Sequence, residues 1–239
     1  MKNPVVNNRS FAAIFSAITL ALTLIGAVLR LINIYCNFEI SAGYYYSSAI
    51  LPDIMHIFFV LSVLALGVLS FVMAKRISLE LIESESDPTA KVIPCFVAVA
   101  ALVYIVAKTY FDVYFPMNSP NKILLHMVCL TAMFFFVTLA RLLIGTLKTK
   151  SYLFYLSATV FLSGVYAIPS VFFCVISQIY RNYTYFYFDI IVLAVFIFAT
   201  IKLIALITAK KPQITLDNAE SIDPIFEETD SVPENTTEE

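Results

Sequence analysis

Six long apolar stretches, each followed by a short polar one, make up the hydropathy pattern of this chain. Each is long enough to cross about 30 Å of hydrocarbon as an α-helix, which takes about 20 residues. The stretches lie near residues 11–33, 50–74, 92–115, 123–145, 152–178 and 186–208. The pattern therefore predicts an all-α fold, a polytopic membrane bundle of six transmembrane helices.

The basic residues predict how this bundle is oriented. Cytoplasmic loops of membrane proteins carry more lysine and arginine than the loops on the other side. One side of this chain has most of these residues: Lys2, Arg9, Lys75, Arg76, Lys91, Arg141, Lys148, Lys150, Lys210 and Lys211. The other side has Lys122 and Arg181 near its loops. Because the number of spans is even, both termini are predicted to be cytoplasmic.

The predicted organisation has three parts. Residues 1–10 form a cytoplasmic N-terminus, and residues 11–211 form the six-helix transmembrane domain. After Pro212 the chain has many acidic residues and no basic one. Such a segment buries too little apolar surface to fold alone. Residues 212–239 are therefore predicted to be a disordered acidic cytoplasmic tail.

The composition agrees with a membrane protein and excludes other classes. Hydrophobic residues make up 60% of the chain, charged residues 13%, and the mean hydropathy is +0.87, far from the values of soluble domains. A net charge of −2 argues against a nucleic-acid partner, because phosphate binding needs a basic surface. The four cysteines form no Cys-x-x-Cys pair, so no zinc or redox motif is present. The lipid bilayer is the predicted partner.

Polar and charged residues gather at one predicted depth, near the outer ends of the helices. Ionisable groups are costly inside a membrane and are therefore candidates for function there. The candidates for ligand or ion binding are Asp53, His56, Lys108, Asp112, His126, Arg181 and Asp189. Arg30 ends the first span in the same layer. Together these residues predict an outward-facing polar vestibule.

The same residues also allow a structural interpretation. They lie within about two turns of the interface, where side chains reach water and pair locally. Lys108 and Asp112 are four residues apart, so on one helix they would form an ion pair. Asp53, His56, Asp112 and His126 include side-chain types that suit a divalent metal or a proton relay. No metal-binding motif accompanies them, and we predict no metal and no cofactor.

Two further patterns concern the helices themselves. Gly164 and Pro169 predict a kink or local unwinding near the middle of the fifth span, and broken helices often mark transporter sites. Ala13, Ala17 and Ala21 recur at a spacing of four in the first span. This small-residue stripe predicts close helix packing, either inside the bundle or against a partner subunit.

The motifs of the common enzyme classes are absent from the sequence. There is no Gly-x-x-x-x-Gly-Lys-[Ser/Thr] for nucleotide hydrolysis and no His-Glu-x-x-His of a zinc protease. No Gly-x-Ser-x-Gly elbow occurs either. Ser163 has no histidine on the sixth span to activate it, which argues against a membrane serine protease. We therefore expect a protein that is not an enzyme.

Four segments carry a resemblance to known proteins: Arg30-Leu31-Ile32, Ser41 to Tyr45, Pro116 to His126, and Ser163 to Pro169. In these segments the chain resembles uncharacterised six-helix membrane proteins of clostridial bacteria, over most of the membrane region. The resemblance implies the plasma (inner) membrane of a bacterium and no known activity.

The alanine stripe of the first span carries a second resemblance. It is similar to that of the substrate-binding subunits of energy-coupling-factor vitamin transporters, which are six-helix bundles with both ends inside. The chain departs from that pattern in its charged second loop and acidic tail, and it lacks a vitamin-pocket motif.

Two functional hypotheses remain open. In the first, the chain is a small-molecule or ion binding or transport component that uses the polar vestibule. In the second, it is a non-catalytic membrane scaffold or regulator, and loop 75–91 and the acidic tail meet a membrane or cytoplasmic protein partner. A cavity that reaches both His56 and His126 would favour the first hypothesis, and a solid bundle would favour the second.

Overall fold

Six α-helices in the computed structural model correspond one to one to the six apolar stretches. The structure describes residues 5–6, 9–39, 44–45, 50–76, 79–80, 88–112, 120–145, 149–176 and 185–208. The helices are α1 (Arg9–Asn37), α2 (Ile50–Met73), α3 (Pro88–Tyr110), α4 (Pro120–Ile144), α5 (Thr149–Ile176) and α6 (Phe186–Thr208). All six are long and apolar enough to cross a membrane. The predicted fold class is confirmed, and the chain is an integral membrane protein.

Two short antiparallel strand pairs lie in the segments before and between the first three helices. They consist of β1 (Val5–Val6), β2 (Phe38–Glu39), β3 (Tyr44–Tyr45) and β4 (Leu79–Glu80). β1 pairs with β4, and β2 pairs with β3. The first pair therefore attaches the segment before α1 to the connection between α2 and α3, and the second closes the connection between α1 and α2.

Local sequence accounts for several helix ends. Pro88 and Pro120 are the first residues of α3 and α4, where a missing backbone N–H is not needed and the fixed φ of proline suits the helix. Gly145 follows α4 with a φ of 85°, a left-handed conformation that glycine adopts without steric cost. Its N–H donates to the carbonyl of Leu142 over 3.1 Å. This contact closes the last turn of α4.

Helix α5 lies at the centre of the bundle. It packs against α1, α2, α4 and α6, while α3 packs mainly against α4. Two glycines allow the close approach at the centre. A Cβ at Gly26 of α1 would lie 2.6 Å from Val165, and a Cβ at Gly164 of α5 would lie 2.8 Å from Phe196 and still closer to Thr23. Side chains at these two positions would push α1 and α6 away from α5.

The beginning of α1 and the end of α6 lie on the same side of the bundle. The Ser16 hydroxyl donates to the backbone carbonyl of Leu203 over 3.3 Å, which places the two segments side by side. This arrangement agrees with an even number of crossings. The side that faces the cytoplasm is predicted from the basic residues alone. The predicted tail at 212–239 lies outside the described residues.

The alanine stripe of α1 does not face the interior of the bundle, which corrects the prediction of internal packing. Ala17 and Ala21 are exposed and Ala13 is only half-buried. The inward face instead carries Ser16, Thr19, Thr23, Gly26 and Arg30. Thr19 and Thr23 fit there because each hydroxyl donates to the carbonyl four residues earlier, over 2.9 and 2.8 Å, so neither leaves an unpaired polar group in the interior.

Candidate functional site

Arg30 of α1 is buried inside the bundle, with 2% of its surface exposed. Its Nη1 donates to the carbonyls of Val165 and Tyr166, at 3.0 and 2.7 Å. Its Nη2 donates to Oδ1 of Asn121 at 3.0 Å and to the hydroxyl of Ser170 at 3.2 Å. The guanidinium thus joins α1 to α4 and α5 through four hydrogen bonds.

Pro169 explains why α5 offers carbonyls to Arg30. A helix residue donates its N–H to the carbonyl four positions earlier, and proline has no N–H. Pro169 therefore leaves the Val165 carbonyl without its usual helical donor, and Arg30 supplies one. Helix α5 continues from Thr149 to Ile176 with Pro169 inside it, so the helix is not interrupted by local unwinding, and a kink at Gly164 and Pro169 stays a prediction. Gly164 also allows close packing at the centre of the bundle.

Tyr166 connects Arg30 to a buried carboxyl group on α6. The guanidinium carbon of Arg30 lies 4.6 Å from the centre of the Tyr166 ring, within the range of a cation–π contact. The Tyr166 hydroxyl donates to Oδ1 of Asp189 at 2.6 Å, and Asp189 is fully buried. The thiol of Cys174 lies 3.8 Å from the other oxygen of Asp189. The Arg30 cluster consists of Arg30, Asn121, Tyr166, Ser170 and Asp189.

The direct partners of the Arg30 guanidinium within the described residues are all neutral: two carbonyls, an amide, a hydroxyl and an aromatic ring. A charged side chain at membrane depth costs about 3 kcal/mol on insertion scales. Hydrogen bonds to dipoles reduce this cost but leave the positive charge in place. The guanidinium therefore has no anion among these direct partners, and the carboxyl group of Asp189 is linked to it only through Tyr166.

A cavity of about 620 Å³ opens beside the Arg30 cluster, between α2 and α4. Helix α5 forms its inner wall. One end carries the polar groups of Arg30, His56 and Asn121. The remaining lining is almost entirely apolar: Met55, Phe59, Val60, Val63, Leu64, Ile123, Leu124, Met127, Thr131, Phe154, Ala158 and Leu162. The hydroxyl of Thr131 donates to carbonyls of its own helix, so it adds little polarity.

The structure separates the predicted polar layer into different surroundings. His56 lines the cavity, and Asp189 belongs to the Arg30 cluster. Asp53 is exposed in the first turn of α2, where the positive end of the helix dipole favours a carboxylate. His126 faces α3, and its Nε2 lies 2.8 Å from the Thr109 hydroxyl. The cavity therefore reaches His56 but is not lined by His126.

The remaining candidates lie at the ends of α3 and α4. Helix α3 ends at Tyr110, so Asp112 is not on the same helix as Lys108, and the expected ion pair does not form. Lys108 is exposed. Asp112 accepts a hydrogen bond from the Tyr185 hydroxyl, and its carbonyl accepts one from Lys122 at 3.3 Å. Arg181 lies outside the described residues. A binding role for these residues remains a prediction.

Tyr185 lies just before the span of α6 and links that end of the bundle to the end of α3. Burial, together with the hydrogen bond to Asp112 and its negative charge, raises the pKa of Tyr185. A tyrosine phenol is protonated at neutral pH even at its ordinary pKa, and the raised pKa of Tyr185 extends its donation to Asp112 to more alkaline pH. The contact ties the two helix ends together and is separate from the cavity.

Sequence reasoning included Arg30 in the polar layer but missed its central role, and it missed Asn121, Tyr166 and Ser170. One signal was available, because Arg30 is the sole charged residue between Arg9 and Glu39. A second was the absence of an N–H at Pro169, which leaves a helical carbonyl unpaired. The sequence does not reveal that these two features meet, since that depends on how α1 rotates against α5.

Within the described residues, no three side chains of His, Cys, Asp or Glu come together as a metal site would require. The polar end of the cavity instead offers hydrogen-bond donors and one permanent cation. Comparison of the chain with protein-family models, with curated proteins and with solved structures found no match.

Proposed function

We propose that this protein is a membrane-embedded binding component for a small amphiphilic molecule with an anionic end. The observation that carries the proposal is the cavity between α2 and α4, apolar along most of its length and bordered at one end by Arg30. Its volume of about 620 Å³ is within the usual range for small-molecule sites, roughly 300–1,000 Å³. The apolar body of the ligand would occupy the cavity, and its anionic end would contact Arg30.

Charge complementarity supports the choice of an anion. The direct partners of Arg30 among the described residues are neutral, so an incoming carboxylate or phosphate would add the first negative group in contact with the guanidinium. The guanidinium charge is permanent and suits both anions. Because Nη1 and Nη2 already donate two hydrogen bonds each within the bundle, an incoming anion would gain mainly from this charge. His56 and Asn121 at the same end of the cavity add further hydrogen-bonding groups. A cationic ligand would meet repulsion at this position.

The predicted location completes the proposal. The resemblance to clostridial membrane proteins and the distribution of lysine and arginine favour the plasma membrane of a bacterium, with both termini in the cytoplasm. In that orientation the Arg30 end of the cavity is in the outer half of the membrane. The chain would then serve the binding step of uptake, export or sensing of the ligand.

A direct test uses native mass spectrometry with two probes that share a ten-carbon chain, decyl phosphate and decyltrimethylammonium. The purified full-length chain is expected to retain decyl phosphate and not the cation. Ala158 lines the cavity and is 1% exposed, so Ala158→Leu should fill part of the cavity and weaken the adduct. Thr131→Leu should weaken it from the α4 side.

The matched control is Ala101→Leu, an exposed alanine of α3 outside the cavity, which should bind as the wild type does. Thermal unfolding should show Ala158→Leu to be at least as stable as the wild type, because filling a cavity tends to stabilise a protein. Equal retention of both probes, or decyl phosphate binding unchanged in Ala158→Leu, would refute the proposal and leave the scaffold hypothesis ahead.

A further inference from the structure

The opening of the cavity lies among residues that face the surroundings of the bundle. Val60 and Leu64 of α2 line the cavity and are 60% and 61% exposed, and Ile123 and Met127 of α4 line it and are 52% and 50% exposed. Helices α2 and α4 both pack on α5. The cavity is thus a lateral opening between two helices, with α5 behind it.

The depth of this opening follows from helix geometry. At a rise of 1.5 Å per residue, Val60 and Leu64 lie about 15 and 21 Å from the start of α2, a helix about 36 Å long. Hydrocarbon fills about 30 Å of a bilayer. The middle of the opening is therefore level with lipid chains and not with water. A molecule that enters there comes from the bilayer.

The cationic end lies closer to the membrane surface. Arg30 is seven residues before the end of α1, and His56 is six residues after the start of α2, so both are about 10 Å from their helix ends. That depth is near the boundary between lipid chains and headgroups. The guanidinium is thus level with the headgroup of a lipid, and the apolar opening is level with the acyl chains of that same lipid molecule.

Resting on the function proposed above, we infer that the ligand is an anionic phospholipid, which enters sideways between α2 and α4. One acyl chain lies in the apolar part of the cavity against Phe154 and Ala158. The phosphate lies at the Arg30 end, where the guanidinium supplies the positive charge. A zwitterionic lipid carries its own cation on the headgroup and gains less from this contact.

The absence of tryptophan from the chain makes a clean fluorescence experiment available. Phe154 lines the cavity on α5, so Phe154→Trp places the one indole of the full-length protein beside the inferred acyl chain. The protein is reconstituted in nanodiscs that contain phosphatidylcholine with a small fraction of either brominated phosphatidylglycerol or brominated phosphatidylcholine. Bromine quenches an indole that it contacts. The anionic lipid is expected to quench more strongly at the same mole fraction.

Two controls localise the effect. Phe134→Trp lies on an exposed part of α4 outside the cavity lining, and both brominated lipids should quench it equally. Addition of Ala158→Leu to the Phe154→Trp protein should remove the preference for the anionic lipid. If Phe154→Trp does not fold, Leu64→Trp reports from the opening.

Equal quenching of the cavity reporter by both lipids would overturn the inference, as would a preference that Ala158→Leu leaves unchanged. Retention of decyl phosphate by the same preparation would then show that the cavity binds an anionic amphiphile that is not a bilayer lipid. Loss of both signals would overturn the proposed function as well.

Discussion

At the scale of single residues, Arg30 and Pro169 act as a pair although 139 positions separate them in the chain. The proline removes a helical donor, and the arginine returns one while bringing a positive charge to the edge of the cavity. Lysine at position 30 would keep the charge but offer three donors instead of five. The contribution of Arg30 to stability can therefore be measured separately from the role in binding that we propose for it.

We predict that Arg30→Lys lowers the free energy of unfolding by about 1–3 kcal/mol, the cost of leaving buried acceptors unpaired. Pro169→Ala restores the N–H that the Val165 carbonyl lacks, so the cost of Arg30→Lys should be smaller in a Pro169→Ala background. A double-mutant cycle of chemical unfolding in mixed micelles measures this coupling. Arg76→Lys, at an exposed position after α2, serves as the control and should change stability by less than about 0.5 kcal/mol. Additive effects of the two changes would show that Arg30 does not replace the missing donor.

At the scale of helices, sequence predicted the elements well and their faces poorly. The six spans follow from length and hydropathy, because backbone polar groups in lipid must be satisfied within each helix. Which face turns inward depends on packing, and here the inward face of α1 carries Thr23 and Gly26 while the exposed face carries Ala17 and Ala21. Small residues occur on both faces, so their spacing alone did not distinguish them. Packing also decides which neighbours a polar side chain meets. His56 and His126 have similar predicted depths, but His56 lines the cavity and His126 contacts Thr109 of α3.

The tight centre of the bundle yields a second stability prediction. Gly164→Ala should destabilise the protein by about 1–3 kcal/mol, a typical cost of overpacking, because the new Cβ would lie 2.8 Å from the ring of Phe196. Gly67→Ala is the matched control, since its Cβ would meet no atom closer than 3.5 Å. That change should be neutral or stabilise α2 by up to about 1 kcal/mol. Thermal unfolding followed by circular dichroism compares the two, and equal melting temperatures would contradict the close packing of α5.

At the scale of the whole molecule, the fold surrounds a lateral cavity because α2 and α4 are held apart on opposite flanks of α5. The sequence could predict that polar groups exist near one membrane surface. It could not predict the cavity, which arises from the rotation of helices whose apolar residues are nearly interchangeable. The orientation across the membrane, in contrast, rests on the sequence alone and has its own test.

Cysteine labelling tests that orientation. Cys36 is exposed and would itself react with the reagent, so the background carries Cys36→Ser. In this background, Ser84→Cys should react with a membrane-impermeant maleimide only after the cytoplasmic side is opened. Ser47→Cys should react in intact cells. These expectations follow from the cluster of basic residues on the Ser84 side. The opposite labelling pattern would place the Arg30 end of the cavity in the inner half of the membrane.

Binding of an amphiphile by its anionic end in the cavity beside Arg30 can be measured as a dissociation constant. Decyl phosphate is titrated by native mass spectrometry against the wild type, Ala158→Leu and Ala101→Leu. We predict that Ala158→Leu raises the dissociation constant at least about tenfold, which corresponds to 1.4 kcal/mol, while Ala101→Leu leaves it unchanged. The same dissociation constant for all three proteins would contradict the claim, because binding would then take place outside the cavity.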